Sequence, residues 1–503
     1  MKDWQSKQPD VRFPLHLLLL QHVAFEFKNM SHSKLNSIFH DAFGTLAMRM
    51  IGIALTFVST LVTARLFGPI EFGAYSAALA LASLLAALAP LGSDRILVRN
   101  LSVTKCPVEI GRETAIAHLC TGLTTVVLVF GLLTVWAASS FVAESPASAR
   151  TALLASIMFV PRTLMSLRQW LAIPIIGSRR AVMPELTVLP FMFTFSLLLL
   201  ETIGVKLTSS VAAIVYAVMI GIIWYGSLQS GPIRVVYLSA WKAIHDVGSA
   251  DILKQLKNGL PFVSVGIGAV VTQCCMPIVI AATCGFKDAA FFALAFSCAG
   301  LATIPLPAFN LSLIPRCAQL YRAGDFVAAQ HVVRSAATAT FFFATTLSIV
   351  MWVGSPLITV CLGTDYSMVS RLLPPLLLSM IVDCLTGPTN PVMQTMKMEK
   401  THSRTLLAFI PIQFGAVYLF GKNGGIEGAA MAFLVSRCLW NVVIFTRIYQ
   451  VLGLVMLPYA GFIRVFRSPS PVSGGDLLLH RPAPSVWPTV AVLDVSVTQN
   501  RAA

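Results

Sequence analysis

Apolar stretches, each about as long as a membrane crossing, follow one another from residue 43 to residue 447 with short polar turns between them. A bilayer core takes about 20 apolar residues per helical crossing. On that measure the pattern predicts about twelve spans, near residues 43–64, 72–92, 114–138, 151–172, 182–203, 208–228, 259–283, 288–312, 335–356, 370–390, 404–421 and 425–447. Lipid offers no partner to backbone N–H and C=O groups, so stretches of this length form helices and the predicted class is an all-α polytopic membrane protein. Single charges interrupt several of them. Arg49 lies in the first, Arg162 and Arg168 in the fourth, Glu185 in the fifth, Asp383 in the tenth and Arg437 in the twelfth. A charge at a helix centre costs about 2.5–3.5 kcal/mol, so these residues point to something polar moving through the bundle.

Composition sharpens this picture. Hydrophobic residues make up 56% of the 503 positions and charged residues 11%, which excludes an ordinary soluble domain and a disordered chain. The formal charge of +15 raises nucleic acid as a partner. The basic residues, however, sit singly or in twos and threes between apolar runs, with no basic face interleaved with aromatics, so no nucleic acid is expected. Orientation in a membrane accounts for them better. With the amino terminus inside, about 26 Lys and Arg fall on the cytoplasmic side, about 6 outside and about 4 within spans, and both termini are then cytoplasmic. Among the ten cysteines, Cys120, Cys274, Cys275, Cys298, Cys361, Cys384 and Cys438 fall in or beside apolar runs. No CxxC pair or His/Cys cluster appears, so neither a metal nor a cofactor is expected.

Residues 13–25 are apolar but too short to span, and no small-residue cleavage site follows them. Residues 1–42 therefore read as a cytoplasmic lead, with Met30 as an alternative natural start. Residues 43–228 form a first six-span unit, 229–258 a cytoplasmic linker and 259–450 a second unit. Residues 451–503, rich in Pro, Ser and Val, read as a largely disordered cytoplasmic tail. The two units repeat one another. Gly68-Pro69-Ile70-Glu71-Phe72-Gly73-Ala74-Tyr75 matches Gly285-Phe286-Lys287-Asp288-Ala289-Ala290-Phe291-Phe292, and the same register lays Pro90 on Pro307, Arg99 on Arg316 and Lys105 on Arg322. Six spans per unit gives both halves one orientation, with a substrate path between them near the midplane.

Arg65-Leu66-Phe67-Gly68-Pro69-Ile70-Glu71-Phe72-Gly73-Ala74-Tyr75-Ser76 resembles the first-hairpin signature of the Wzx-type polysaccharide-transport flippases, a branch of the multidrug/oligosaccharidyl-lipid/polysaccharide exporter superfamily. Arg95-Ile96-Leu97-Val98-Arg99, Leu313-Ile314-Pro315-Arg316, Leu320-Tyr321-Arg322-Ala323-Gly324-Asp325 and Gly425-Ile426-Glu427-Gly428-Ala429-Ala430 are similar to later landmarks of that family. The resemblance covers about residues 43 to 450. It implies two pseudo-symmetric six-helix bundles forming a V around a central cavity. It also implies alternating access and a polyprenyl-diphosphate-linked oligosaccharide carried across the bacterial inner membrane for O-antigen, capsule or exopolysaccharide synthesis. Membrane lipids surround such a protein, and polysaccharide polymerase and chain-length proteins are its implied partners.

For an anionic lipid head the sign of the intramembrane charge is informative. A diphosphate needs forked cationic donors, which Arg supplies and Lys does not. Arg49, Arg162, Arg168 and Arg437 are therefore the candidate substrate-binding residues, with Arg168 also read as snorkelling and Arg437 as pairing with a carboxylate. Asp383 and Glu185 are candidates for coupling or charge balance, and Arg65, Glu71, Arg99, Asp288 and Arg316 for hairpins or gates. No Gly-x-x-x-x-Gly-Lys-Ser/Thr loop exists, so no nucleotide motor is expected and the membrane potential or an antiported ion remains as the drive. Two rivals stand beside this non-enzymatic reading: a multidrug or small-molecule exporter of the same fold, and a membrane polymerase or ligase. The longest loops face the cytoplasm and no paired acids sit on an outer loop, which weighs against the enzyme.

Overall fold

A computed structural model describes residues 32–101, 106–141, 146–229, 231–304, 306, 313, 317, 320, 325–387, 389, 392–393 and 398–458, and Arg316 lies outside them. The regular elements among these residues are helices. In chain order they are α1 (His32–Leu88), α2 (Ser93–Leu101), α3 (Pro107–Phe141), α4 (Pro146–Ile176), α5 (Ser178–Met183), α6 (Leu189–Thr202), α7 (Ser209–Leu228) and α8 (Gly231–Ala243). There follow α9 (Ser249–Cys274), α10 (Met276–Thr283), α11 (Phe286–Gly300), α12 (Phe326–Val353), α13 (Ser355–Leu362), α14 (Ser367–Leu385) and α15 (Glu399–Leu452). A π-helical turn at Pro184–Val188 joins α5 to α6.

Two of these elements are far longer than one crossing. A 20-residue helix already spans about 30 Å, whereas α1 has 57 residues and α15 has 54. Each is broken at a glycine: Gly68 at φ 72°, ψ 172° and Gly425 at φ 62°, ψ −158°. That corner of backbone space is open essentially to glycine alone. Gly285, which the repeat lays on Gly68, opens α11 in the same conformation at φ 94°, ψ 175°. The duplicated pattern is therefore a duplicated backbone turn. Eight of the described helical segments are long and apolar enough to cross a membrane. The glycine breaks divide two of them into a pair of crossings each, and α4 with α9–α10 completes the twelve expected. The chain is an all-α, multi-pass membrane protein. Its seventh span differs from expectation: α9 starts at Ser249, and the helix breaks at Cys275, just before Pro277. Pro277 has no N–H for the ladder and its ring crowds the preceding turn.

The halves meet through small residues. Gly73 of α1 lies so close to α11 that a Cβ there would stand 1.7 Å from the Phe286 carbonyl oxygen. A second close approach joins Gly92 to Gly259, where a Cβ on Gly92 would meet the Gly259 carbonyl oxygen at 2.2 Å. Bare backbones approach in this way because membrane helices associate by van der Waals contact rather than by escape from water. Near the first of these seams the Tyr366 hydroxyl donates to the Ala64 carbonyl at 2.6 Å, and its ring packs edge-on against Phe291 at 5.8 Å. One apolar core runs across both halves, from Ala64, Phe67 and Tyr75 to Phe291, Phe292, Tyr366 and Phe433.

Two features lie outside the spans. The linker is not a plain loop: α8 packs on α3 and α4, buries Ile233 and Ala240, and its Tyr237 hydroxyl lies 3.2 Å from His118 Nε2. Its continuation is clipped by Arg112, which donates to Asp251 at 2.9 Å and holds that carboxyl below its ordinary range. After α15, Gly453 (φ 66°) turns the chain, and residues 454–457 lie against α12. The Gln330 carboxamide takes both peptide groups of Val455: the Val455 N–H donates to its Oε1 at 2.7 Å, and its Nε2 donates to the Val455 carbonyl. Leu454 and Met456 are buried on either side. The start of the expected tail is thus a fastened strap.

Candidate functional site

The intramembrane charges fall into separate groups, one in each half. In the first half, α4 carries Arg162, whose guanidinium donates to the Tyr216 hydroxyl on α7 and lies 3.9 Å from Glu185. Glu185 belongs to the π-helical turn, whose extra residue re-aims the side chains that follow it. Tyr216 packs edge-on against Phe193, and Phe193 stacks on Tyr75. The cluster is half-buried on its polar side and backed by aromatic rings.

Arg49 on α1 stands at the level of this group. Gly44 abuts Arg179 and Gly52 abuts Leu186, so the turn of α1 between them runs alongside Met183–Glu185. Arg49 is half-buried, and its Nε, like those of Arg168 and Arg437, has no hydrogen-bond partner among the described residues. Among the described residues no carboxylate forms an ion pair with it. Arg168, one and a half turns beyond Arg162, behaves differently: it is 2% exposed and donates to the Ala181 carbonyl at 2.8 Å, tying α4 to α5.

In the second half, Arg437 of α15 donates to Asp383 of α14 and is 8% exposed. Asn441, one turn after Arg437, donates to the other Asp383 oxygen at 2.7 Å and accepts from Thr386 at 2.6 Å. The Arg437 guanidinium also lies 5.9 Å from the centre of the Phe433 ring. The shift that lays Gly68 on Gly285 lays Tyr216 on Phe433, so each half presents an aromatic side chain to an arginine at the same place in the repeat. A buried charge left unpaired is costly, and here each carboxylate is matched to a guanidinium.

The hairpin residues make a third group. Glu71 receives Arg150 on both oxygens, at 2.7 and 2.6 Å, and also accepts from the Ser209 backbone N–H at the start of α7, at 2.7 Å. Arg150 reaches the second half as well, with its guanidinium 5.9 Å from the Phe286 ring centre. Asp288, the repeat counterpart of Glu71, is half-buried in the first turn of α11, where a negative charge suits the helix dipole. Arg65 and Arg99 are exposed on α1 and α2. Arg95 lies 4.0 Å over the Trp170 ring.

Sequence reasoning brought out the arginines and carboxylates but missed Tyr216, Asn441, Tyr366 and Gln330. Asn441 carried a local signal, being four residues after Arg437 and hence on one helix face with it. Tyr216, Tyr366 and Gln330 carried none, since their partners lie 54, 302 and 125 residues away.

A family model described as "Polysaccharide biosynthesis protein" matches residues 38–321, and a second, described as "MatE", matches residues 266–419. A search of curated proteins finds no match. Among solved structures, the inward-facing conformation of a multidrug resistance MATE family transporter of the MOP superfamily aligns with a TM-score of 0.65 at 13% identity, over 82% of this chain and 98% of that one. An outward-facing conformation of such a transporter aligns with a TM-score of 0.55 at 14% identity, over 82% and 95%. The Vibrio cholerae MATE transporter VcmN, in a substituted form, gives 0.54 at 13% identity, over 83% and 97%. These likenesses establish the fold.

Proposed function

This chain belongs to the polysaccharide biosynthesis protein family, and on that premise we propose that it is a flippase for a lipid-linked oligosaccharide. Its cargo is a polyprenyl-diphosphate-linked repeat unit, and it works by alternating access of two six-helix halves. The location that goes with this is the bacterial inner membrane, with both termini in the cytoplasm, supported by about 26 basic residues on one side against about 6 on the other. A polysaccharide polymerase and chain-length proteins are the partners that would use the product.

One observation carries the anionic head. Of the four intramembrane arginines, Arg162 and Arg437 face carboxylates and Arg168 is taken up by a backbone carbonyl, whereas Arg49 has no counter-ion among the described residues. A half-buried guanidinium without a carboxylate is a standing site for an external anion, and its fork matches a phosphate. Arg162, close to Glu185 and held by Tyr216, is the second donor. Glu185 balances its charge when no cargo is bound, and Asp383 does the same for Arg437. Glu71 and Arg150, with Arg65 and Asp288 nearby, shape the hairpin end. Arg99, in the last turn of α2, follows the second span and is a further gate candidate.

Replacing Arg49 or Arg162 by Ala is expected to abolish surface-polysaccharide export while the protein stays in the membrane at normal level, read by polysaccharide gels beside a membrane immunoblot. Undiminished export in both variants would remove the diphosphate reading. A chain that polymerised or transferred sugar in detergent would replace it with an enzyme.

A further inference from the structure

Helix α8 has two faces, and among the described residues only one has a partner. Its inner face is fastened to the first bundle: Ile233 and Ala240 are buried, Tyr237 meets His118, and Gly111 comes close enough that a Cβ there would stand 2.8 Å from Ser239 Cβ. The outer face carries Val235 at 58% exposure, Leu238 at 54% and Trp241 at 71%. Among these apolar groups stand Arg234 and Lys242, both exposed and two turns apart. The pattern continues into the first turns of α9, where Leu253, Lys254 and Lys257 are exposed.

Such a face suits neither water nor an apolar core. Three large apolar side chains left in water forfeit about 25 cal/mol for every Å² that could be buried, while two cations forbid burial in hydrocarbon. A headgroup layer accepts both. Trp is favoured at that level, and long basic side chains reach outward from an apolar stem to phosphate. The helix is also held at that depth by its connections. It joins α7, which ends at Leu228, to the span entered by α9, so it stays where two crossings leave the bilayer. The sign of the charge selects the lipid. Asp246 is the single carboxylate within α8 and the turn after it, and the next, Asp251, is already paired with Arg112.

We propose that α8 is a docking surface for anionic glycerophospholipids of the leaflet it meets. Val235, Leu238 and Trp241 enter the acyl boundary, and Arg234 and Lys242 bind the phosphates. This surface is distinct from the intramembrane arginines and does not depend on what the protein carries.

The full chain is reconstituted into nanodiscs of phosphatidylcholine alone or mixed with phosphatidylglycerol, with brominated acyl chains. The contribution of Trp241 is isolated as the difference between the wild type and Trp241→Phe. Bromine quenching of that contribution is expected, stronger in the anionic discs and reduced there by high salt. In an Arg234→Gln/Lys242→Gln variant the anionic-disc quenching should fall to the level of the neutral discs. At about 1 kcal/mol per basic residue near the surface, the pair corresponds to about a thirtyfold preference for anionic over neutral lipid. Unquenched Trp241 in both discs would overturn the proposal, leaving water or another protein over this face. Equal quenching in both discs, unchanged by the charge removals, would overturn it too, because the helix would then anchor without reading headgroups.

Discussion

Arg437 and Asp383 form the most enclosed ion pair among the described residues, with side chains 10% and 13% exposed. Removing one partner strands the other in a poorly solvated place, at a cost of about 3–5 kcal/mol. Asp383→Ala should therefore lower thermal stability in detergent sharply, whereas the Asp383→Leu/Arg437→Met double variant should recover most of it. A stable double variant that no longer exports would mark the pair as part of transport and not only of packing. Asn441→Leu is milder: it takes one hydrogen bond from the carboxylate and leaves the Thr386 hydroxyl only its longer bond to the Asp383 carbonyl at 3.2 Å, lowering stability by about 1–3 kcal/mol. At this scale the sequence displayed the charges, because a lone Arg in an apolar run is conspicuous. It could not display who satisfies them. Asp383 and Arg437 stand 54 residues apart, and only the packing of α14 on α15 decides that they meet, while Arg49 has no counter-ion among the described residues.

Helices were legible wherever apolar length alone defined them. Among the described residues the crossings follow the predicted intervals except the seventh, which starts at Ser249 and breaks at Cys275, and the Gly-x-x-acid motif at 68 and 285 proved to be one turn used twice, with both glycines at positive φ and extended ψ. No neighbouring atom crowds a Cβ at either glycine, so the conformation itself is the constraint. Gly68→Ala and Gly285→Ala should each destabilise by about 1–3 kcal/mol, visible as a lower melting temperature, while Ala at Gly122, which has helical backbone and open space around it, should not. What stayed hidden were the elements whose reason is tertiary. The π-helical turn that presents Glu185 has no local signature, and α8 hid within a linker because its polar and apolar residues mix on one face. The Arg112–Asp251 clip belongs here too. The lowered Asp251 carboxyl makes its contribution fully present above the ordinary Asp range, and that contribution is lost as pH falls through the folded value. Arg112→Gln should thus alter protease sensitivity of the linker at neutral pH and make no difference once Asp251 is protonated.

Across the whole molecule the duplicated halves are joined by seams where side chains are missing. Gly73 lies against Phe286 and Ala290, its own repeat counterpart, and Gly92 lies against Gly259. Tyr366 and Arg150 reinforce the first seam by a hydrogen bond to Ala64 and a ring contact to Phe286. Opening that end requires these backbones to part. Gly73→Leu should hold them apart, so that a thiol reagent added from that side labels a cysteine placed at Ala64 faster than in the parent. Unchanged labelling would mean that the seam does not govern access. A duplicated chain could be inferred from its repeated motifs, but where the copies touch depends on how they pack. The composition of the seam, hydrogen atoms in place of methyl groups, is the clearest trace of that contact.

The fastening of Val455 by Gln330 sets a boundary for anyone who shortens or tags this protein. A cut after Pro458 leaves both peptide bonds of the clasp in place, whereas a cut after Leu452 deletes them together with the Leu454 and Met456 plugs. The longer truncated chain should behave as the parent. The shorter should melt earlier and lose the ordered foot of its ninth crossing, so the six residues from Gly453 to Pro458 decide whether a trimmed version is a fair stand-in for the whole.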